Sequence, residues 1–431
     1  MLVDYEGGYG GIVNFQILFV VFVSLVIVLL FLFRNSITSL LDPLLPFVAW
    51  AASVTSAGIY VFFLQPSFGF FLKFVFSMFC LILALAFFLR GKVASVPGAT
   101  TAAGMRLREI RMGDWVLFWA LFAANAVVLG LSYREVLSAG LDSMFSGRYF
   151  LAEELRNPLV KIINLVGRPL FYAQTARIVL LSANSNRRLM VLMLLLINVA
   201  ATFLIGTRAV VLLVAGTFGA ALVLYRGVVP VPGWAKSLAG LLAFVSVFLV
   251  MMVVATAGVL DLAPATAFVA VVQRVLLAAD GIFMLADKRI ETFFPPSFAT
   301  LLNYIFGQFF GTLDKNFGWQ LFEEFVGRSF PIAVGPNFIL PFQLHFAGMA
   351  APLWLLLAVF ATVFLRKQTP SYNTLDSCKI VAVFFAFQHL NDPEYAAFVF
   401  GFLGVFFLAL YCLRKLIITA VRPRGALEGS K

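Results

Sequence analysis

Charge is what this sequence has least of: 12% of its 431 residues are Asp, Glu, Lys or Arg, against 62% hydrophobic residues and 50 Phe. So little polar surface excludes a water-soluble domain, because it could not cover a core of that size. Histidine is nearly absent, with two residues, and cysteine is scarce, with three. Cys80, Cys378 and Cys412 all fall in or beside hydrophobic runs, so neither a disulfide framework nor a CxxC metal site is implied. The two His, with Asp392 and Glu394, match no metal-ligand spacing, and neither a metal nor another cofactor is expected. The first hydrophobic run lacks a basic leading region and a small-residue cleavage site, so it reads as a retained span. There is no internal repeat of fixed period and no inverted pair of halves, which weighs against a secondary transporter. The net charge of +11 is spread over loop ends without interleaved aromatics, so nucleic acid is not an expected partner.

What the chain has in quantity is long apolar runs. A span needs roughly 20 mostly apolar residues to cross about 30 Å of hydrocarbon. The candidates are Val13–Phe33, Leu44–Phe63, Gly69–Leu89, Trp115–Ser132, Val160–Leu181, Leu189–Ile205, Ala209–Leu224, Leu238–Val259, Ala350–Leu365, Ile380–Leu390 with flanks, and Ala396–Leu413. The expected fold is therefore all-α: a single polytopic membrane domain over residues 1–431 with about eleven (ten to twelve) transmembrane helices. Barrel strands would alternate apolar and polar residues, and these runs are continuous. Arg90, Lys92, Arg106, Arg108 and Arg111 crowd the connection after the third span, which places it in the cytoplasm. Alternation then puts the acidic start, with Asp4 and Glu6, on the outer side, and the basic tail, with Arg414, Lys415, Arg422 and Arg424, inside.

Two outer loops are long: the first over 134–159 and the second over 260–348. Ala265–Ile290 and Ser297–Phe310 in the second are apolar with polar residues at helical spacing, and they read as interfacial or re-entrant helices. Arg148, Glu153, Glu154 and Arg156 in the first make a candidate anion site with its own counter-charges, or a self-neutralising surface helix. Arg208 stands between two apolar runs with almost no loop, where an unpaired Arg costs at least about 2.5 kcal/mol. Arg274 lies on the amphipathic segment upstream of Asp280 and Asp287. Mid-span positions are nearly free of charge, with Arg168 and Arg177 on the fifth span as the exceptions. Both histidines fall on the outer side: His345 before the ninth span and His389 closing the tenth. A neutral imidazole can take a proton from a sugar hydroxyl.

In layout the chain resembles the O-antigen polymerase family, the bacterial oligosaccharide-repeat-unit polymerases that share a fold with the O-antigen ligases. Arg156, followed after ten residues by Gly167, is similar to the Arg-x10-Gly pattern of such loops. Gly206-Thr207-Arg208 resembles the family's Gly-Arg segment, and Gly335-Pro336-Asn337-Phe338 its Gly-x-Asn segment. The second large loop carries no matching Arg-x10-Gly. The resemblance implies transfer of a growing glycan from undecaprenyl diphosphate onto the next lipid-linked repeat unit, at the periplasmic face of the inner membrane. Its partners would be the lipid-linked donor and acceptor, membrane lipids and a chain-length-regulating protein. Arg208 and Arg274 would stabilise the leaving diphosphate, with Arg148, Arg156, Glu153, Glu154 and Asn337 binding donor or acceptor. His389 is the first choice of base and His345 the second. Two alternatives stay open: ligation of the glycan to lipid A-core, and flipping of the lipid-linked unit.

Overall fold

A computed structural model of the chain describes residues 14–64, 68–90, 110–138, 160, 162–204, 210–226, 229, 250, 253, 263–268, 280–285, 294–310, 315–326 and 337–421. Among these the protein is helical throughout, with no β-strand. In chain order the helices are α1 (Phe15–Phe33), α2 (Leu44–Leu64), α3 (Ser77–Leu89), α4 (Met112–Ser138), α5 (Arg168–Leu181), α6 (Ser185–Leu204) and α7 (Val210–Leu224). They continue with α8 (Asp280–Leu285), α9 (Phe298–Phe310), α10 (Phe317–Val326), α11 (Leu340–Ala347), α12 (Ala351–Arg366), α13 (Asp376–Phe384), α14 (Gln388–Asn391) and α15 (Pro393–Val421). Wider π-turns lead into α3 (Phe71–Phe76) and α5 (Ile163–Gly167).

Seven segments are long and apolar enough to cross a membrane: Gln16–Phe33, Leu44–Leu64, Phe71–Leu89, Met112–Arg134, Ser185–Phe203, Leu340–Arg366 and Pro393–Cys412. Their outer faces carry exposed Ile17, Val20, Phe31, Leu196, Phe360 and Phe364, which is the surface that lipid covers. This is a multi-pass helical membrane protein.

Four of the eleven expected spans do not meet that measure, each for its own reason. Ile163–Leu181 is helical but enclosed by α4, α6, α7 and α13, and carries buried Arg168, Gln174, Thr175 and Arg177. Helix α7 has only 15 residues. Leu238–Val259 lies outside the described residues apart from 250 and 253. Ile380–Leu390 is interrupted by a tighter 3-10 turn, Phe385–Phe387, between α13 and α14. In the long loops, α4 runs on to Ser138, and the rest of 134–159 lies outside the described residues. The expected helix over Ser297–Phe310 is α9, whereas Ala265–Ile290 is described only at 265–268 and at α8.

Local chemistry explains the boundaries. Asn14 caps α1, its Oδ1 accepting the N–H groups of Gln16 and Ile17 at 3.1 and 3.3 Å. Two Asp-Pro pairs open helices: Asp42-Pro43 before α2, where the Asp42 carboxylate accepts the Leu44 N–H at 2.9 Å, and Asp392-Pro393 before α15. Gly348, at φ +54°, turns the chain between α11 and α12 in a conformation that favours glycine.

Buried side chains form two clusters. One joins α1–α3 with α8–α12, Phe387 and Leu390, and the other joins α4–α7 with α13 and α15. The connection from α13 through α14 to α15 runs along the seam between them.

Candidate functional site

Polar contacts between helices fall into two groups. In the first, every buried acid among the described residues has been matched. The carboxylate of Asp114, on α4, receives Nη1 and Nη2 of Arg177 at 2.6 and 3.1 Å, with both side chains 3% exposed. Gln174 Nε2 donates to the Asp114 carbonyl at 2.7 Å, and Ser377 Oγ donates to Gln174 Oε1. Asp42 receives Arg366 Nη2 at 2.8 Å and the Thr38 N–H at 2.8 Å. Asp376 accepts the Ser371 and Tyr372 N–H groups at 2.7 and 2.8 Å and the Tyr225 hydroxyl at 3.0 Å. These interactions tie α1, α2, α4, α5, α7, α12 and α13 together and leave little reactive.

The second group, where α15 begins, is built differently. Pro393 fixes the first helical position and holds Asp392 in an extended conformation, φ −150° and ψ 84°. Asp392 therefore caps α15, its Oδ1 accepting the Tyr395 N–H at 3.0 Å. Burial pushes the Asp392 carboxyl above the ordinary carboxylate range, and the Tyr395 N–H partly opposes this. Glu394 stands in the first turn of α15, and its Oε1 accepts the Phe317 N–H, at the start of α10, at 3.4 Å. A favourable helix N-terminus is thus the partner of Glu394, and no ion pair engages Asp392 or Glu394 among the described residues.

His389 lies three residues before Asp392. Its Nε2 is 3.1 Å from the Ala358 carbonyl and 3.3 Å from Thr362 Oγ1, both on α12. Thr362 spends its own proton on that same carbonyl, at 2.9 Å, so both oxygens accept from the ring. A carbonyl can only accept, hence Nε2 carries the hydrogen and Nδ1 carries the lone pair. Nδ1 is buried and has no hydrogen-bond partner among the described residues. Gln343 fixes the backbone here: its Nε2 donates to the carbonyls of His389 and Phe338 at 3.0 and 2.9 Å, and its Oε1 accepts Trp354 Nε1 at 3.0 Å.

The floor beside Glu394 is aromatic. Phe317 packs on Phe338, Phe342 and Tyr304, with ring centroids at 4.6, 5.0 and 5.3 Å. His345, two residues from Gln343, is buried, and its Nε2 lies 2.9 Å from the Phe294 carbonyl, so that nitrogen is spent on the segment leading into α9. The two histidines are linked through α11, and His389 is the one with an unengaged nitrogen. Asn337 is exposed, and its carbonyl accepts the Ile339 N–H at 2.9 Å just ahead of α11. Arg148, Glu153, Glu154, Arg156, Arg208 and Arg274 all lie outside the described residues.

Sequence reasoning passed over Gln343, and it named Asp392 and Glu394 beside His389 without giving either a place in the site. The Asp-Pro-Glu triplet was the available signal, since it marks a helix start that concentrates acid in a first turn. Compared with known proteins, the chain matches no family model, no curated protein and no solved structure.

Proposed function

We propose that this protein polymerises lipid-linked oligosaccharide repeat units, transferring the growing glycan from undecaprenyl diphosphate to the next unit at the outer face of a bacterial cytoplasmic membrane. The observation that carries the reading is His389: a half-buried imidazole with Nε2–H engaged and a buried Nδ1 lone pair that has no partner among the described residues, three positions before Asp392, a buried acid that meets no cation among those residues. In the reaction an acceptor hydroxyl oxygen bonds to the donor's anomeric carbon. The bond from that carbon to the diphosphate breaks, its electron pair leaves on the diphosphate oxygen, and the hydroxyl proton passes to His389 Nδ1. Energy is stored in the lipid diphosphate, so no nucleotide site is needed. Arg148, Arg156 and Arg274, from the two outer loops, and Arg208, from the short turn between two apolar runs, hold the anionic groups, where guanidinium forks suit phosphate oxygens.

The test is a set of single substitutions at Arg148, Arg156, Arg208, Arg274, His345 and His389 in the producing cell, scored by the ladder of glycan lengths. His389→Ala collapses the ladder towards single repeats, while His345→Gln leaves it. Deletion of the gene leaves lipopolysaccharide with one repeat. Wholly uncapped core would assign the ligase reaction instead, and normal ladders from all six variants would remove this reading.

A further inference from the structure

Three arginines are buried in the described helices: Arg168, Arg177 and Arg366, at 7%, 3% and 6% exposed. Two of them meet carboxylates, Arg177 on Asp114 and Arg366 on Asp42, at 2.6 and 2.8 Å. Arg168 meets none among the described residues. Its Nη2 donates to Asn164 Oδ1 at 2.7 Å, and its Nε has no partner. Around it lie the Tyr172 hydroxyl, which donates to Asn198 Oδ1 at 2.9 Å, and Tyr395 from the first turn of α15. Asp392 interacts with Tyr395 and accepts its N–H at 3.0 Å, and it forms no ion pair with Arg168.

A guanidinium cannot shed its proton to escape such a site, so the charge stays and waits for an anion. The neighbours are hydroxyl and amide groups, which suit phosphate oxygens and could not neutralise the cation themselves. The π-turn Ile163–Gly167 holds Asn164 and leads straight into Arg168. Such turns are a rare helix form that recurs at functional sites. The residue also sits on the enclosed helix α5, near Tyr395 in the first turn of α15, six positions after His389.

We infer that Arg168 binds the phosphate or diphosphate group of a membrane lipid between α5 and the start of α15, with Asn164 orienting the guanidinium. Arg168 is thus a ligand-binding residue maintained at the expense of stability, in contrast to the structural Arg177 and Arg366. The inference rests on the proposed function only for the choice of lipid.

The test uses the full chain in detergent and reads its thermal unfolding midpoint with three additives: undecaprenyl diphosphate, undecaprenol and inorganic diphosphate. Undecaprenyl diphosphate raises the midpoint saturably, undecaprenol does not, and inorganic diphosphate does so only at far higher concentration. Arg168→Met weakens the diphosphate-lipid response roughly ten- to hundredfold. Without ligand, Arg168→Met unfolds no lower than the parent, whereas Arg177→Met unfolds lower. The inference is overturned if the lipid gives no shift, if Arg168→Met responds like the parent, or if its unliganded midpoint falls as far as that of Arg177→Met. Equal affinity for inorganic diphosphate would assign a soluble anion and overturn the lipid. Intact lipid binding without glycan elongation would remove the polymerase reading and leave this one standing.

Discussion

Replacing Asp114 by Asn tests the idea that one group of helix contacts is held by compensated charge. In the parent the carboxylate receives two Arg177 nitrogens at 2.6 and 3.1 Å and the Arg111 N–H at 3.2 Å. An amide keeps one acceptor and turns an NH2 group towards a guanidinium that is 3% exposed. Arg177 then stays charged and nearly dry, and removing one partner of such a pair costs about 3–5 kcal/mol. Arg177→Met alone should cost a comparable amount by stranding Asp114. The double variant Asp114→Leu with Arg177→Met removes both charges and should fall within about 1–2 kcal/mol of the parent, because apolar replacement of a whole buried pair is often neutral. Unfolding of the purified protein in mixed detergent micelles, followed by helical circular dichroism across a denaturant series, measures the parent, Asp114→Asn, Asp114→Leu, Arg177→Met and the double variant, the last three closing the cycle. A single-variant loss below about 1 kcal/mol, or losses that simply add, would refute the reasoning.

Further outcomes follow from other contacts. A Cβ on Gly219 would overlap the Leu41 carbonyl oxygen, so Gly219→Ala should destabilise by more than the roughly 1–3 kcal/mol of ordinary overpacking, whereas Gly130, with open space around it, should tolerate Ala with a gain of up to about 1 kcal/mol; equal effects in the same unfolding assay would contradict the packing of α7. Burial holds the Asp392 carboxyl above its ordinary range, so its neutral form stabilises the fold at low pH and that contribution is lost as pH climbs through the raised value. Asn caps a helix about as well as Asp, so Asp392→Asn should raise the unfolding midpoint at pH 8, with the gap closing at pH 4; a gap that widens on acidification sinks the assignment. In a cysteine-free background, the exposed positions Asn337 and Thr369 changed to Cys should label oppositely with an impermeant maleimide, Asn337→Cys in intact cells and Thr369→Cys only after permeabilisation. The reverse pattern would invert the orientation.

Hydrophobic length made the membrane class and most helices legible before any coordinates, because a run such as Leu44–Leu64 has no other stable form in lipid. The helix over Ser297–Phe310 was legible for a similarly local reason. Partnership was not. Arg168 and Arg177 sit nine positions apart in one run, and only folding brings Asp114, 63 positions away, to the second and not to the first. The sequence ranked His389 ahead of His345 without knowing their partners; the Phe294 carbonyl falls against His345, while α12 offers its acceptors to one nitrogen of His389. The enclosed path of α5 was hidden because apolar run length does not distinguish protein neighbours from lipid. The arginines of the two long loops remain candidates on sequence pattern alone.

The most direct test gives the purified protein undecaprenyl-diphosphate-linked repeat units in detergent, with no membrane gradient, and resolves the products by length. The account predicts a ladder of elongated lipid-linked glycans and free undecaprenyl diphosphate, with His389→Ala slower by at least about a hundredfold. Repeats that stay at unit length, or a His389→Ala variant that extends them at the parent rate, would contradict it.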